Sequence, residues 1–210
     1  METAINVHTE QHHDIHRDDT ASKLGMWLFI FTEILLFGGL FVVYSVYRYK
    51  HHVAFGLAHE ELSVMMGLIN TIILLISSAT VAMSITAIQR GNKKHAMYFV
   101  AATVVLALVF LINKYFEWGA KFEHGMYPGS DLMQMLSNGD MLFFSLYFFM
   151  TGLHGLHILV GMTLLIISFF KIKNEKVRRD KYALLENSGL YWHLVDLIWI
   201  FLFPLFYLIH

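Results

Sequence analysis

Residues 191–210 read Tyr-Trp-His-Leu-Val-Asp-Leu-Ile-Trp-Ile-Phe-Leu-Phe-Pro-Leu-Phe-Tyr-Leu-Ile-His, an apolar and aromatic run that carries His193 and Asp196 one helical turn apart. At ~1.5 Å per residue such a run crosses a hydrocarbon core of ~30 Å once, so it reads as a transmembrane helix. Inside or at the edge of a membrane the imidazole and the carboxyl need partners. Pro204 lacks the N–H that would bond the carbonyl of Ile200, which predicts a bend in the outer half of this helix.

The rest of the chain follows the same pattern. Hydrophobic residues make up 57% of it, charged residues only 15%, and the mean hydropathy is +0.55; a soluble domain is nearer ~45–50% apolar. Four more apolar runs, 24–47, 65–88, 96–116 and 141–170, precede the last one at 191–209. The expected fold is therefore all-α: a polytopic helix bundle of five transmembrane helices over residues 23–210, with a polar tail at 1–22. That tail is rich in histidine (His8, His12, His13, His16), lacks metal-site spacing, and is too hydrophilic to be expected to order. It has no apolar h-region, so insertion is expected to rely on the spans themselves. Five crossings put the termini on opposite sides. Of the 15 Lys and Arg, eleven fall on the side of the tail and the loops 89–95 and 171–190, and four (Arg48, Lys50, Lys114, Lys121) on the other. This bias predicts a cytoplasmic N-terminus and an outside C-terminus. The outer segment 117–140, with Gly125, Pro128, Gly129, Asn138 and Gly139, reads as irregular, with a helix restarting at Asp140.

A net charge of −1 offers no basic field for nucleic acid, and with no cysteine there is neither a disulfide nor a thiolate site. Function must therefore sit with polar groups inside the spans. Glu33 lies ~14 Å into the first span, where it is expected to be protonated, partnered or hydrated, either as a packing contact or as a proton-linked group. In the fourth span Tyr147, Thr151, His154, Gly161 and Ser168 share a face, with His157 one turn from His154, and Gly152, Gly155 and Gly161 open it to close helix approach. Asn70, Ser77 and Ser84 form a seven-residue polar stripe for helix contact. Glu33 and His157 differ in depth by only ~6 Å, which predicts a shared polar pocket. Asn113 and Glu117 are spaced to meet at i, i+4 beside Trp118, which makes Glu117 a wet boundary residue. His193, ~3 Å deep, and Asp196, ~8 Å deep, read as an anchoring hydrogen-bond network flanked by Trp192 and Trp199. The three intramembrane histidines differ too much in depth to face one haem, and no third imidazole completes a copper site.

Three stretches carry a family resemblance: Lys23-Leu-Gly-Met-Trp-Leu-Phe-Ile-Phe-Thr-Glu-Ile-Leu-Leu-Phe-Gly-Gly39, Thr151-Gly-Leu-His-Gly-Leu-His-Ile-Leu-Val-Gly161 and Tyr191-Trp-His-Leu-Val-Asp-Leu-Ile-Trp199. Read together and in this order, they resemble subunit III of the haem-copper terminal oxidases, and Lys114-Tyr-Phe-Glu-Trp118 looks like the family's Glu-aromatic element. The resemblance implies a non-catalytic accessory subunit with no cofactor or metal of its own. Haem and copper would then belong to partner catalytic subunits, with subunit I and membrane lipids as neighbours and phospholipid as an added ligand. By the same resemblance, Glu33 matches an intramembrane carboxyl reactive with hydrophobic carbodiimide, and His154, His157, His193 and Asp196 match signature polar positions. The implied roles are assembly, protection during turnover and proton delivery in a bacterial cytoplasmic membrane, with surface histidines as a proton antenna. The longer family form has seven helices and a lipid-filled cleft, whereas five helices are read here. The motifs do not separate cytochrome c oxidases from quinol oxidases or nitric oxide reductase relatives; the first is favoured and the second is next. An independent proton-coupled transporter is the contrasting class, although neither a broken-helix pair nor an inverted repeat is visible.

Overall fold

In the computed structural model, the described residues are 2–135, 137–179 and 181–208, with side chains described from residue 20 onward except at 131 and 134. Helix α1 spans Glu2–Lys50, α2 His52–Ala58, α3 Val64–Gln89, α4 Lys93–Glu123, α5 Asp131–Met135, α6 Asn138–Lys173 and α7 Ala183–Tyr207, with a 3-10 turn at His59–Glu61. Five helical segments are long and apolar enough to cross a membrane: Thr20–Lys50 of α1, and α3, α4, α6 and α7. The chain is thus an all-helical, multi-pass membrane protein. The backbone of α1 includes the polar segment 2–19; the expectation about His8, His12, His13 and His16 lies outside the described side chains, and His210 outside the described residues.

The first four spanning helices outrun their apolar stretches at both ends and α7 does so at its start, because backbone bonding continues into the polar flanks. Between residues 117 and 140 the sequence expectation needs correcting. α4 continues to Glu123, α5 follows at Asp131–Met135, and α6 begins at Asn138. The reason for the longer α4 is that Glu117 and Lys121 turn inward and are buried, 6% and 9% exposed. Ser137 caps α6 by accepting from the Asp140 N–H at 3.2 Å. On the same side, α2 packs against α6 through Phe55 and Phe143, whose ring centroids are 5.4 Å apart. Gly139 is required there, since a Cβ would stand 2.5 Å from that of Ala54.

α3, α4, α6 and α7 form a four-helix bundle, and α1 lies outside it against α7 and α6. Consequently α7 is the interior helix, with 56% of its spanning window buried, against 11% for α1. Gly161 lets α7 approach α6: a Cβ there would meet Trp192 at 2.9 Å and Tyr191 at 3.0 Å. Gly152 faces Trp118 more loosely, at 3.2 Å, and Gly155, expected to admit a helix, has nothing within 4 Å. The α3 stripe is fully buried. Asn70 Oδ1 accepts from Asn113 Nδ2 at 3.0 Å, and Ser77 Oγ from Trp192 Nε1 at 3.0 Å. Ser84, by contrast, bonds only the Val81 carbonyl of its own helix among the described residues.

Polar contacts tie α1 down at three depths. Lys23 pairs with Glu186 at 2.9 Å near one end, and Glu33 meets His157 in the middle. Near the other end the Tyr44 hydroxyl donates to the Leu205 carbonyl, just beyond Pro204 in the last turn of α7. In the loop after α6, Lys93 Nζ bonds the Lys173 carbonyl at 2.9 Å and Glu175 Oε1 at 3.1 Å. This hydrogen bond holds the exposed Glu175 carboxyl below the usual carboxylate range.

Candidate functional site

α1 and α6 present Glu33 and His157 to each other across the bundle edge. His157 Nε2 lies 2.9 Å from Glu33 Oε2, and the two side chains are 13% (Glu33) and 12% (His157) exposed. The matched depth of the two groups in the sequence thus becomes a direct contact. The other ring nitrogen, Nδ1, is 2.7 Å from the Leu153 carbonyl one turn back. Phe37 meets the imidazole edge-on at 5.3 Å between centroids, and Tyr191 stacks on it at 6.5 Å. The Tyr191 hydroxyl donates to the His157 carbonyl at 3.2 Å. The Leu153 carbonyl and the two aromatic rings thus orient the imidazole toward the carboxyl. A carboxyl and an imidazole in direct contact, partly open to the surroundings, can hold and exchange a proton.

A second polar cluster lies nearer the other end of the bundle, and the sequence reading missed it. Glu117 is buried, not a wet boundary residue, and it does not meet Asn113, which is committed to Asn70. Its partner is Lys114 at i, i+3, with Nζ 3.0 Å from Oε2. Lys114 Nζ also donates to the hydroxyls of Tyr147 on α6 and Tyr207 on α7, each at 3.0 Å. Both phenols in turn donate to Glu117 Oε1, Tyr147 at 2.7 Å. All three ammonium hydrogens are used and both carboxylate oxygens are capped, which is the condition for an ion pair to survive in an apolar interior. The ammonium also sits 5.0 Å from the Tyr147 ring and 5.3 Å from the Trp199 ring. One turn further along α4, Lys121 donates to the Glu61 carbonyl and stands 3.9 Å from its carboxylate, pinning the 3-10 turn. Lys114 and Lys121 are therefore internal partners and not loop charges. A usable signal was present: a lysine inside an apolar run with an acid three residues on, and a tyrosine on the polar face of the fourth span.

The remaining predicted residues do not join either cluster by hydrogen bonds. His154 is fully buried between Trp199 and Phe110, with ring centroids at 5.2 and 5.8 Å, and neither ring nitrogen has a partner among the described residues. His193 bonds Ser78 Oγ at 2.6 Å, which anchors α7 to α3 as the sequence suggested. Asp196 departs from that reading. Both its oxygens are buried and lack a hydrogen-bond partner among the described residues, and Ser78, which lies beside the carboxyl, is bonded to His193. Trp192 and Trp199 bond Ser77 and Thr71 instead. His157 has both nitrogens engaged, His193 is bonded to a serine, and His154 is enclosed by aromatic rings. Among the described residues no three of the histidines and acids converge as a metal site would need.

Comparison with known proteins agrees with this architecture. The model of the family cytochrome c oxidase subunit III matches residues 5–210. A cytochrome c oxidase subunit 3 of Rhipicephalus sanguineus is 32% identical over 191 residues, covering 88% of this chain and 69% of that protein. One of Schizophyllum commune is 33% identical, covering 88% of this chain and 66% of the relative. The chain thus spans about two thirds of the length of these relatives. It covers 89% of a probable quinol oxidase subunit 3 of Staphylococcus saprophyticus, at 30% identity over 90% of this chain. Five apolar helices, the polar pairs within them and a match over nearly the whole chain lead to one conclusion: the chain belongs to the cytochrome c oxidase subunit III family.

Proposed function

We propose that the chain is the non-catalytic subunit III of a respiratory haem-copper oxidase of the cytochrome c oxidase type in a bacterial cytoplasmic membrane. It packs on catalytic subunit I, which carries haem and copper with the other redox subunits, and it supports assembly, stability and proton uptake. The observation that carries this reading is the family match over residues 5–210. The Glu33–His157 contact supports the proton-linked part, because it places a carboxyl against an imidazole within the membrane at a partly exposed edge. The burial of Lys114 and Lys121 supports a cytoplasmic N-terminus. With these two explained as internal partners, only Arg48 and Lys50 remain of the outer charges.

A second reading, subunit III of a quinol oxidase, is supported by the likeness to the staphylococcal relative, 30% identical over 90% of this chain. Both readings are tested in cells lacking the chain. The expected outcome is an oxidase that keeps its haem spectrum while its yield falls, proton uptake slows and activity decays during turnover. Unchanged yield, uptake and lifetime would contradict the accessory role. Adding reduced cytochrome c or a quinol to the purified complex separates the two types by which donor sustains oxygen consumption.

A further inference from the structure

The hydrogen bonds around His157 fix how many protons the pair with Glu33 can hold. A carbonyl oxygen only accepts, so the 2.7 Å contact of Nδ1 with the Leu153 carbonyl requires a hydrogen on Nδ1. With that hydrogen placed, the 2.9 Å contact of Nε2 with Glu33 Oε2 has two permitted forms. Either a neutral imidazole accepts from a carboxylic acid, or an imidazolium donates to a carboxylate. Each form places one hydrogen on the contact and leaves the pair without net charge. Two bare atoms would set lone pair against lone pair, and two hydrogens would set donor against donor. The Leu153 carbonyl, with Phe37 edge-on and Tyr191 stacked on the ring, favours this orientation of the imidazole. Neutrality is also the state that a group lying in a span, with its side chain only 13% exposed, holds at least cost. The second carboxyl oxygen, Oε1, has no hydrogen bond to the described residues, and it is not among the enclosed unpartnered atoms.

We propose that Glu33 and His157 form a single-proton unit: Nδ1 stays protonated, one further proton is shared between Nε2 and Oε2, and Oε1 is the atom at which a proton arrives. A proton arriving at Oε1 takes the unit from neutral to a charge of +1. Departure of one proton returns it to neutral, so each cycle moves one proton and changes no bond to carbon. His157 is then the positioning residue that sets the protonation of Glu33, through a tautomer imposed by its own helix.

The inference rests on the reading of Glu33 as the proton-linked group, and the test keeps the two apart. The full chain, labelled with nitrogen-15 at histidine and carbon-13 at the glutamate carboxyl, is reconstituted in lipid nanodiscs and measured by NMR near neutral pH. Signals are assigned by their loss in His157→Gln and Glu33→Gln. The expected spectrum shows a directly bonded hydrogen on Nδ1, with either a bare Nε2 beside a carboxylic acid or a protonated Nε2 beside a carboxylate. In Glu33→Gln the amide donates to Nε2, and His157 stays neutral with its Nδ1 hydrogen. A bare Nδ1, a bare Nε2 beside a carboxylate, or an imidazolium beside a carboxylic acid in the resting pair would overturn the proposal. If the spectrum is as expected but an assembled oxidase with Glu33→Gln takes up protons at the unaltered rate, the proton-linked reading fails and the single-proton unit stands.

Discussion

Lys114 and Glu33 illustrate two ways of keeping an ionisable side chain inside a membrane. Lys114 is surrounded: a carboxylate, two phenols and the faces of aromatic rings replace its water shell. Removing one member should cost far more than removing the pair, because the residual charge is left buried. Lys114→Met or Glu117→Leu alone is expected to destabilise the fold by about 3–5 kcal/mol, and the double variant by less than either. Tyr207→Phe, which deletes a hydrogen bond to a charged group, should cost about 1.5–3 kcal/mol. Denaturant unfolding in micelles measures all four, and Glu175→Gln, an exposed ion-pair partner in the loop after α6, should leave the midpoint unchanged. Glu33 has a lighter enclosure, and Glu33→Gln should keep assembly while abolishing labelling by a hydrophobic carbodiimide; undiminished labelling would place the reactive carboxyl elsewhere. The Glu33–His157 contact could be anticipated from the sequence because both groups lie at similar depth on helices of opposite direction. The Lys114–Glu117 pair could be suspected from its i, i+3 spacing, but the two phenols that complete the cluster could not, because they come from helices 30 and 90 residues away from Glu117 in the chain.

At the level of the helices, close approach is set by single glycines. Gly161 is filled by Trp192 and Tyr191 of α7, so Gly161→Val should push the helices apart and cost about 1–3 kcal/mol. Gly155→Ala, one and a half turns away with open space at its Cβ position, should be close to neutral in the same assay. The contrast separates glycines that pack from glycines that merely occur in a motif. The sequence could not rank them, since Gly152, Gly155 and Gly161 share one helix and the ranking depends on where the Trp side chains of neighbouring helices land. The existence of the five spanning helices, by contrast, was legible, because long apolar runs admit no other spanning structure, whereas the short α2 and α5 were not. The ends were not legible. α4 runs past its apolar stretch because Glu117 and Lys121 find internal partners, a tertiary outcome that hydropathy along the chain does not encode.

For the molecule as a whole, a tight four-helix bundle carries a less buried first helix, held by Lys23, Glu33 and Tyr44 at three depths. This arrangement suits a subunit whose work lies in what it packs against. The family was legible in three motifs, and the structure adds why those motifs hold together: they supply the Glu33–His157 contact, the Gly161–Trp192 packing and the His193–Ser78 anchor. The central claim is that the chain serves a redox enzyme without carrying its redox centre. Purification in mild detergent, with a visible spectrum and identification of the associated chains, tests it most directly. The expected result is co-purification with a larger haem-bearing subunit, and a colourless chain once the two are separated; a separated chain that retains stoichiometric haem would contradict the account.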